Sequence, residues 1–96
     1  MYATLSTYQF GPGMRPTGEK SADQSASLIK NLKGFKRITF FADVEIGQYM
    51  SLTIWETKED AEAAYAVIAP KMQEAVGSIL KAPPTRKIFE VYEPKS

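Results

Sequence analysis

The elements written into this sequence run β-α-β-β-α-β, which predicts an α+β chain of the ferredoxin-like kind, with a four-stranded antiparallel sheet and both helices on one face. Three observations carry that expectation. Residues 2–10, 35–43, 49–55 and 86–93 are short, rich in β-formers and alternate in character. Between them lie two stretches, 21–33 and 57–80, whose apolar residues fall three and four apart, as on one face of a helix. A strand also passes directly into a helix at Trp55-Glu56-Thr57, the joint around which the rest is arranged.

At that joint Thr57 can accept from a backbone N–H of the first helical turn while Asp60 reaches back, an aspartate variant of the capping box. The helix that follows carries Ala61, Ala64, Tyr65, Ile68, Met72, Ala75, Val76 and Ile79 as its stripe. Pro70 lacks an N–H and its ring meets the carbonyl of Ala66, so a kink or break is expected just before it, with a second piece over Lys71 to Leu80.

The first strand, Tyr2 to Phe10, points Tyr2, Thr4, Ser6, Tyr8 and Phe10 one way and Ala3, Leu5, Thr7 and Gln9 the other. Gly11 to Gly18 reads as a loop; Pro16 stands where the third glycine of a phosphate-cradling G-x-G-x-x-G would fall. The first helix is expected over Ser21 to Lys33, with Ser21 and Gln24 as its capping box and Gly34 as its terminator. Phe35 to Asp43 is the second strand, and Asp43 to Gly47 turns it into the third as a hairpin. Lys81 to Thr85 is an extended connector, and Arg86 to Glu93 the last strand.

Ninety-six residues suit one domain, 1–96. A chain of this size buries only about 60 to 65% of the surface its unfolded form exposes, so a partner would help it. Twelve basic and eleven acidic residues are mixed without blocks, which argues against nucleic acid or a membrane surface as partner. There is no cysteine, which removes disulfides and thiolate chemistry. There is no histidine either, which removes the commonest general base and metal ligand together. No cofactor is expected. No apolar run approaches the roughly 18 residues a bilayer span needs, and the N-terminus does not read as a signal peptide, so the expected location is the cytoplasm.

The strands place large side chains on both sides. Tyr49 and Trp55 lie opposite Met50, Leu52 and Ile54, and strict alternation puts Phe35 and Phe41 opposite Ile38 and Phe40. Both sides of such strands are normally buried, so the expectation is a two-fold homodimer with its sheets packed face to face.

Leu52-Thr53-Ile54-Trp55-Glu56-Thr57-Lys58-Glu59-Asp60-Ala61, with the Tyr2-Ala3-Thr4 start and Gly34-Phe35 opening the second strand, resembles the antibiotic-biosynthesis monooxygenase-like proteins of the dimeric α+β barrel superfamily. The resemblance spans nearly the whole chain and implies a monooxygenase-like domain, a homodimer whose sheets close a barrel, and a pocket in each subunit between sheet and helices. Enzymes of this kind oxidise polycyclic aromatic substrates with O2 and neither metal nor flavin; other members degrade haem. Trp55 and Glu56 match the pair that ends the third strand in many members, and Thr57 takes the place of the usual cap. The helix histidine found about two turns on, which haem-degrading members use to hold iron, is replaced by the stretch containing Ala64 and Tyr65.

No catalytic residue stands out. The substrate-binding candidates are Trp55, Tyr8, Tyr49, Tyr65, Phe40 and Arg37. Trp55 is either an amphipathic wall whose indole N–H donates to a ligand oxygen or plain core packing, and the tyrosines divide in the same way. Arg37 and Arg86 are enolate or phenolate stabilisers, or solvated edge positions. Glu56 and Glu90 form an acid-base pair only if their strands bring them to one face. Two functions follow: a small-molecule-binding, cofactor-independent monooxygenase acting on an aromatic, polyketide- or quinol-type substrate, or a non-catalytic dimeric ligand-binding or assembly module.

Overall fold

β1 (Tyr2–Gln9) and β3 (Gln48–Trp55) pair at the middle of the sheet, with Tyr2 opposite Trp55 and Gln9 opposite Gln48. β2 (Phe35–Asp43) flanks β3 and β4 (Thr85–Glu90) flanks β1, giving the order β2-β3-β1-β4 with every pairing antiparallel. The computed structural model describes residues 1–94. α1 (Arg15–Ile29) and α2 (Lys58–Val76) cross one face of this sheet, the expected β-α-β-β-α-β architecture.

The joint behind Trp55 is built as its sequence suggests. The amide of Asp60 donates to Thr57 Oγ1 at 3.0 Å, so the cap is made. The Asp60 carboxylate lies against Gly34, where any Cβ would collide with it, and Gly34 has a φ of 82° that suits glycine. Glu56 donates its amide to the Gly34 carbonyl at 2.8 Å, tying the end of β3 to the start of β2.

Four boundaries differ from expectation. α1 starts at Arg15, six residues before Ser21, because Pro16 falls in the first turn, where proline's missing N–H costs nothing and its φ suits a helix. Ser21 is therefore a buried mid-helix residue, and α1 ends at Ile29, with Gly34 shaping the turn into β2. α2 runs unbroken through Pro70 to Val76, followed by a 3-10 turn over Gly77–Ile79. Proline removes one backbone bond, while Ala61, Ala64, Met72 and Val76 anchor the helix on both sides of it. β4 stops at Glu90, three residues short of Glu93.

The fifth difference bears on the site. Phe35 pairs with Trp55 but Arg37 with Ile54, so Lys36 is the extra residue of a bulge. The bulge moves Phe35 to the face of Ile38 and Phe40, under the helices, where its ring meets Trp55 edge-on at 5.9 Å. Two clusters fill that side: Trp55 with Ile29, Ala61 and Ala64, and Phe10 with Met72 and Val76. The other side of the sheet carries Ala3, Leu5, Met50, Leu52 and Ile54 along its central strands, with Phe41 and Phe89 at its flanks, and no helix covers it. Among the described residues, no helix is long and apolar enough to cross a membrane.

Candidate functional site

The register places Thr4 opposite Thr53 and Ser6 opposite Ser51 on the helix-facing side of β1 and β3. Four small side chains at the centre of a two-layer fold fill less space than leucines or valines would, and a gap results. All four line a small inner chamber, and Ser51 alone of them also lines a larger cavity beside it. The outer cavity of about 300 Å³ lies between α1 and the β2–β3 hairpin end, with Gly18, Ala22, Phe40, Ala42, Val44 and Tyr49 in its wall. The inner chamber of about 40 Å³ reaches Trp55, Thr4, Thr53, Tyr65 and Arg86. Tyr8, Ser25 and Ser51 line both, so they form the boundary between the two.

The inner chamber holds the charge. Arg86 sits on β4 opposite Ser6, which brings its guanidinium 5.2 Å from the Tyr8 ring centre and 5.5 Å from that of Tyr65. Its Nη2 donates to the Tyr8 hydroxyl oxygen. Burial pushes the Tyr8 hydroxyl above its usual pKa, and the Arg86 charge and hydrogen bond pull the other way with less effect. Tyr8 therefore stays protonated at neutral pH, held by a half-buried cation.

Three polar atoms in these walls are buried with no protein partner: Thr4 Oγ1, Tyr49 Oη and Trp55 Nε1. Buried polar groups are nearly always paired, so two such residues at the inner chamber and one at the outer cavity single this region out. The carboxylates lie elsewhere. Glu56 is exposed, bonded to Lys36 at 2.6 Å, and that hydrogen bond holds its carboxyl below the ordinary carboxylate pKa. Glu90 is exposed at the end of β4, so the pairing of Glu56 with Glu90 is not formed in either cavity. Glu19 reaches the rim of the outer cavity but is exposed and bridged to Arg15 at 3.1 Å. Among the described residues no group of three or more histidines, cysteines or carboxylates is placed to hold a metal ion.

Of the six residues singled out from sequence, five line this space: Trp55 and Tyr65 the inner chamber, Phe40 and Tyr49 the outer, Tyr8 both. Arg37 does not. It lies beyond the bulge, opposite Ile54, on the sheet face away from the helices. Arg86 takes the place foreseen for a cation, because β4 pairs with β1 in a register that the alternation of either strand alone leaves open. The small hydroxyls were visible as a face, since Thr4, Ser6 and Tyr8 alternate together, but their pairing with Ser51 and Thr53 is what makes them a site.

No known family profile matches this chain, and no curated protein matches it in sequence. Solved structures do match. SnoaB from Streptomyces nogalater, a cofactor-independent oxygenase, superposes in its N63A form with a TM-score of 0.78 at 14% identity, covering 98% of this chain and 95% of its own. The chain has the fold of the antibiotic-biosynthesis monooxygenases. The monooxygenase from the gene ActVA-Orf6 of Streptomyces coelicolor, solved with Nanaomycin D, gives 0.74 at 18% identity over 97% of this chain and 88% of its own. Rv0793 from Mycobacterium tuberculosis gives 0.78 at 11% identity over 99% and 98%. At such identities the likeness is one of backbone.

Proposed function

We propose that this chain is a cytoplasmic, homodimeric small-molecule-binding protein of the cofactor-independent monooxygenase kind, acting on an aromatic substrate of the polyketide or quinol type held between α1 and the sheet. The observation that carries this reading is the pair of adjoining cavities, aromatic in the outer one, whose wall residues Thr4, Tyr49 and Trp55 each hold a buried polar atom with no protein partner. Its fold, shared with SnoaB, supports the reading. The substrate's own acidity supplies the proton to be lost, and the Arg86 guanidinium stabilises the enolate or phenolate that remains. For an anthrone-type methylene the balance is CH2 plus O2 to C=O plus water. Tyr8, in the wall of both cavities, orients the rings, and Trp55 closes the inner chamber behind it. The homodimer is supported by the side of the sheet that the helices leave open, where Phe41 and Phe89 are exposed and Leu5, Met50 and Leu52 are half-buried between them.

A second reading, a dimeric ligand-binding or assembly module without turnover, is favoured by one observation: the carboxylate at the cavity's rim, Glu19, is taken up by Arg15, and the chain contains no histidine or cysteine to act as base. Oxygen uptake by the purified protein with anthrone- and quinol-type aromatics separates the two. Consumption above the protein-free control, reduced about tenfold or more in Trp55→Phe, is the expected result. No uptake across the panel leaves only the binding or assembly reading.

A further inference from the structure

Gly18 and Tyr49 meet in the wall of the outer cavity. Gly18 is buried in the first half of α1, a position where glycine is a poor helix former and needs another reason to be present. The reason is the Tyr49 ring. A Cβ on Gly18 would stand 2.5 Å from its Cε2 and 2.7 Å from its Cδ2 and Cζ, against 3.4–4 Å for ordinary contact. Phe10, itself fully buried, also packs on the ring, edge-on at 5.7 Å. The ring is thus confined, and its hydroxyl is buried with no protein partner beside a cavity that both residues line. A phenolic hydroxyl so placed can donate to an oxygen that accepts.

We propose that Gly18 and Tyr49 select the ligand of this cavity: the Tyr49 hydroxyl receives a carbonyl oxygen, and Gly18, by leaving room for the ring, keeps the space wide enough for a fused bicyclic aromatic. This rests on the ligand-binding reading above and deepens it. At about 300 Å³ the outer cavity is at the small end of ligand sites, room enough for the ketone-bearing two-ring part of an aromatic ligand. A side chain at residue 18 drives the Tyr49 ring toward the cavity, because Phe10 restrains its retreat.

The test is a titration of 15N-labelled protein with 1-tetralone, with tetralin, which differs from it by the carbonyl alone, and with the single-ring ketone acetophenone. The native protein is expected to bind the ketone tetralone about tenfold more tightly than tetralin, the size of effect one buried hydrogen bond gives. Tyr49→Phe, which keeps the ring, should abolish that preference and leave tetralin within about twofold. Gly18→Ala should weaken tetralone about tenfold or more and leave acetophenone within about threefold. A ketone preference that survives in Tyr49→Phe, or equal weakening of both ketones in Gly18→Ala, overturns the proposal while the ligand-binding reading stands. Failure of the native protein to bind any of the three also overturns the proposal, while oxygen uptake with anthrone- and quinol-type aromatics still decides the reading it rests on. Should Gly18→Ala not fold, Tyr49→Phe decides alone.

Discussion

Under the helices, where a two-layer fold ordinarily keeps its aliphatic side chains, the central strands carry Thr4, Ser6, Ser51 and Thr53; on the uncovered side the same strands carry Leu5, Met50, Leu52 and Ile54. The covered face gives up dense packing at its middle and gains a cavity, and its stability is concentrated at the ends, in the Trp55 and Phe10 clusters. The open face has the reverse character: neither helix covers its row of aliphatic side chains, of which Leu5, Met50 and Leu52 are half-buried and Ile54 is buried among its neighbours in the sheet. The cavities and an apolar row that neither helix covers thus lie back to back on one sheet.

The largest effect should come from the covered face. Trp55 is 2% exposed, packed by Ile29, Ala61, Ala64 and the edge of Phe35. Trp55→Ala is expected to cost about 3–5 kcal/mol, a large part of the roughly 5–15 kcal/mol that holds a small domain together, measured by urea unfolding. A cost near 1 kcal/mol would mean that the cavity end of this face contributes as much as its packed end, and the contrast would fail.

Leu52→Glu tests the open face. In the proposed homodimer a charge at the middle of this face is repeated on both partners, so the dimer should weaken, its Kd rising about a hundredfold or more by sedimentation, with the monomer still folded. A native protein that sediments as a single subunit at high micromolar concentration would show the open face to be ordinary surface.

How much of this was legible beforehand differs between the faces for a physical reason. Element order, the Thr57 cap and the alternation of β1 and β3 are local, and they are written in neighbouring residues. The bulge at Lys36 is not; it depends on Gly34 being pinned against Asp60 and Glu56, and it reassigned Phe35 to the covered side. Arg37 and Arg86 are both arginines on flanking strands, and alternation treats them alike. Strand pairing sends Arg86 to Tyr8 and Arg37 away from the cavity. The start of α1 is hidden in the same way, because Gly-Pro-Gly followed by Pro16 reads as a loop, while proline in a first turn is also a helix opening.

Arg86→Met should act more modestly. Losing contacts to two tyrosine rings from a half-buried cation costs about 1 kcal/mol at neutral pH. Its more specific sign is in alkali. Burial holds the Tyr8 pKa above the usual value near 10, so the stability tied to its neutral form is complete below about pH 10 and is lost as pH rises through the folded value. Arg86 lowers that value, so its removal should move Tyr8 titration to higher pH, read from ring-labelled tyrosine by NMR. A shift downward would mean that Arg86 does not act on Tyr8 through charge.

The smallest change carries the sharpest distinction between the faces. Thr4 is 8% exposed, and its hydroxyl has no protein partner. Thr4→Val keeps the shape and replaces that hydroxyl by a methyl, which on an aliphatic face would be an ordinary repacking. Here it removes an unmet polar group, so folding should be unchanged or stronger by about 1 kcal/mol, a rise of about 4–8 °C in Tm for a domain of this size. The same variant should bind aromatic ketones no better than the native protein, because the inner chamber loses a polar contact as the fold gains stability. Destabilisation of about 1 kcal/mol or more would instead show that the hydroxyl is bonded through water in the free protein. In that case the covered face is packed with solvent where the open face is packed with side chains, and the cavity would have to be read as a hydrated core.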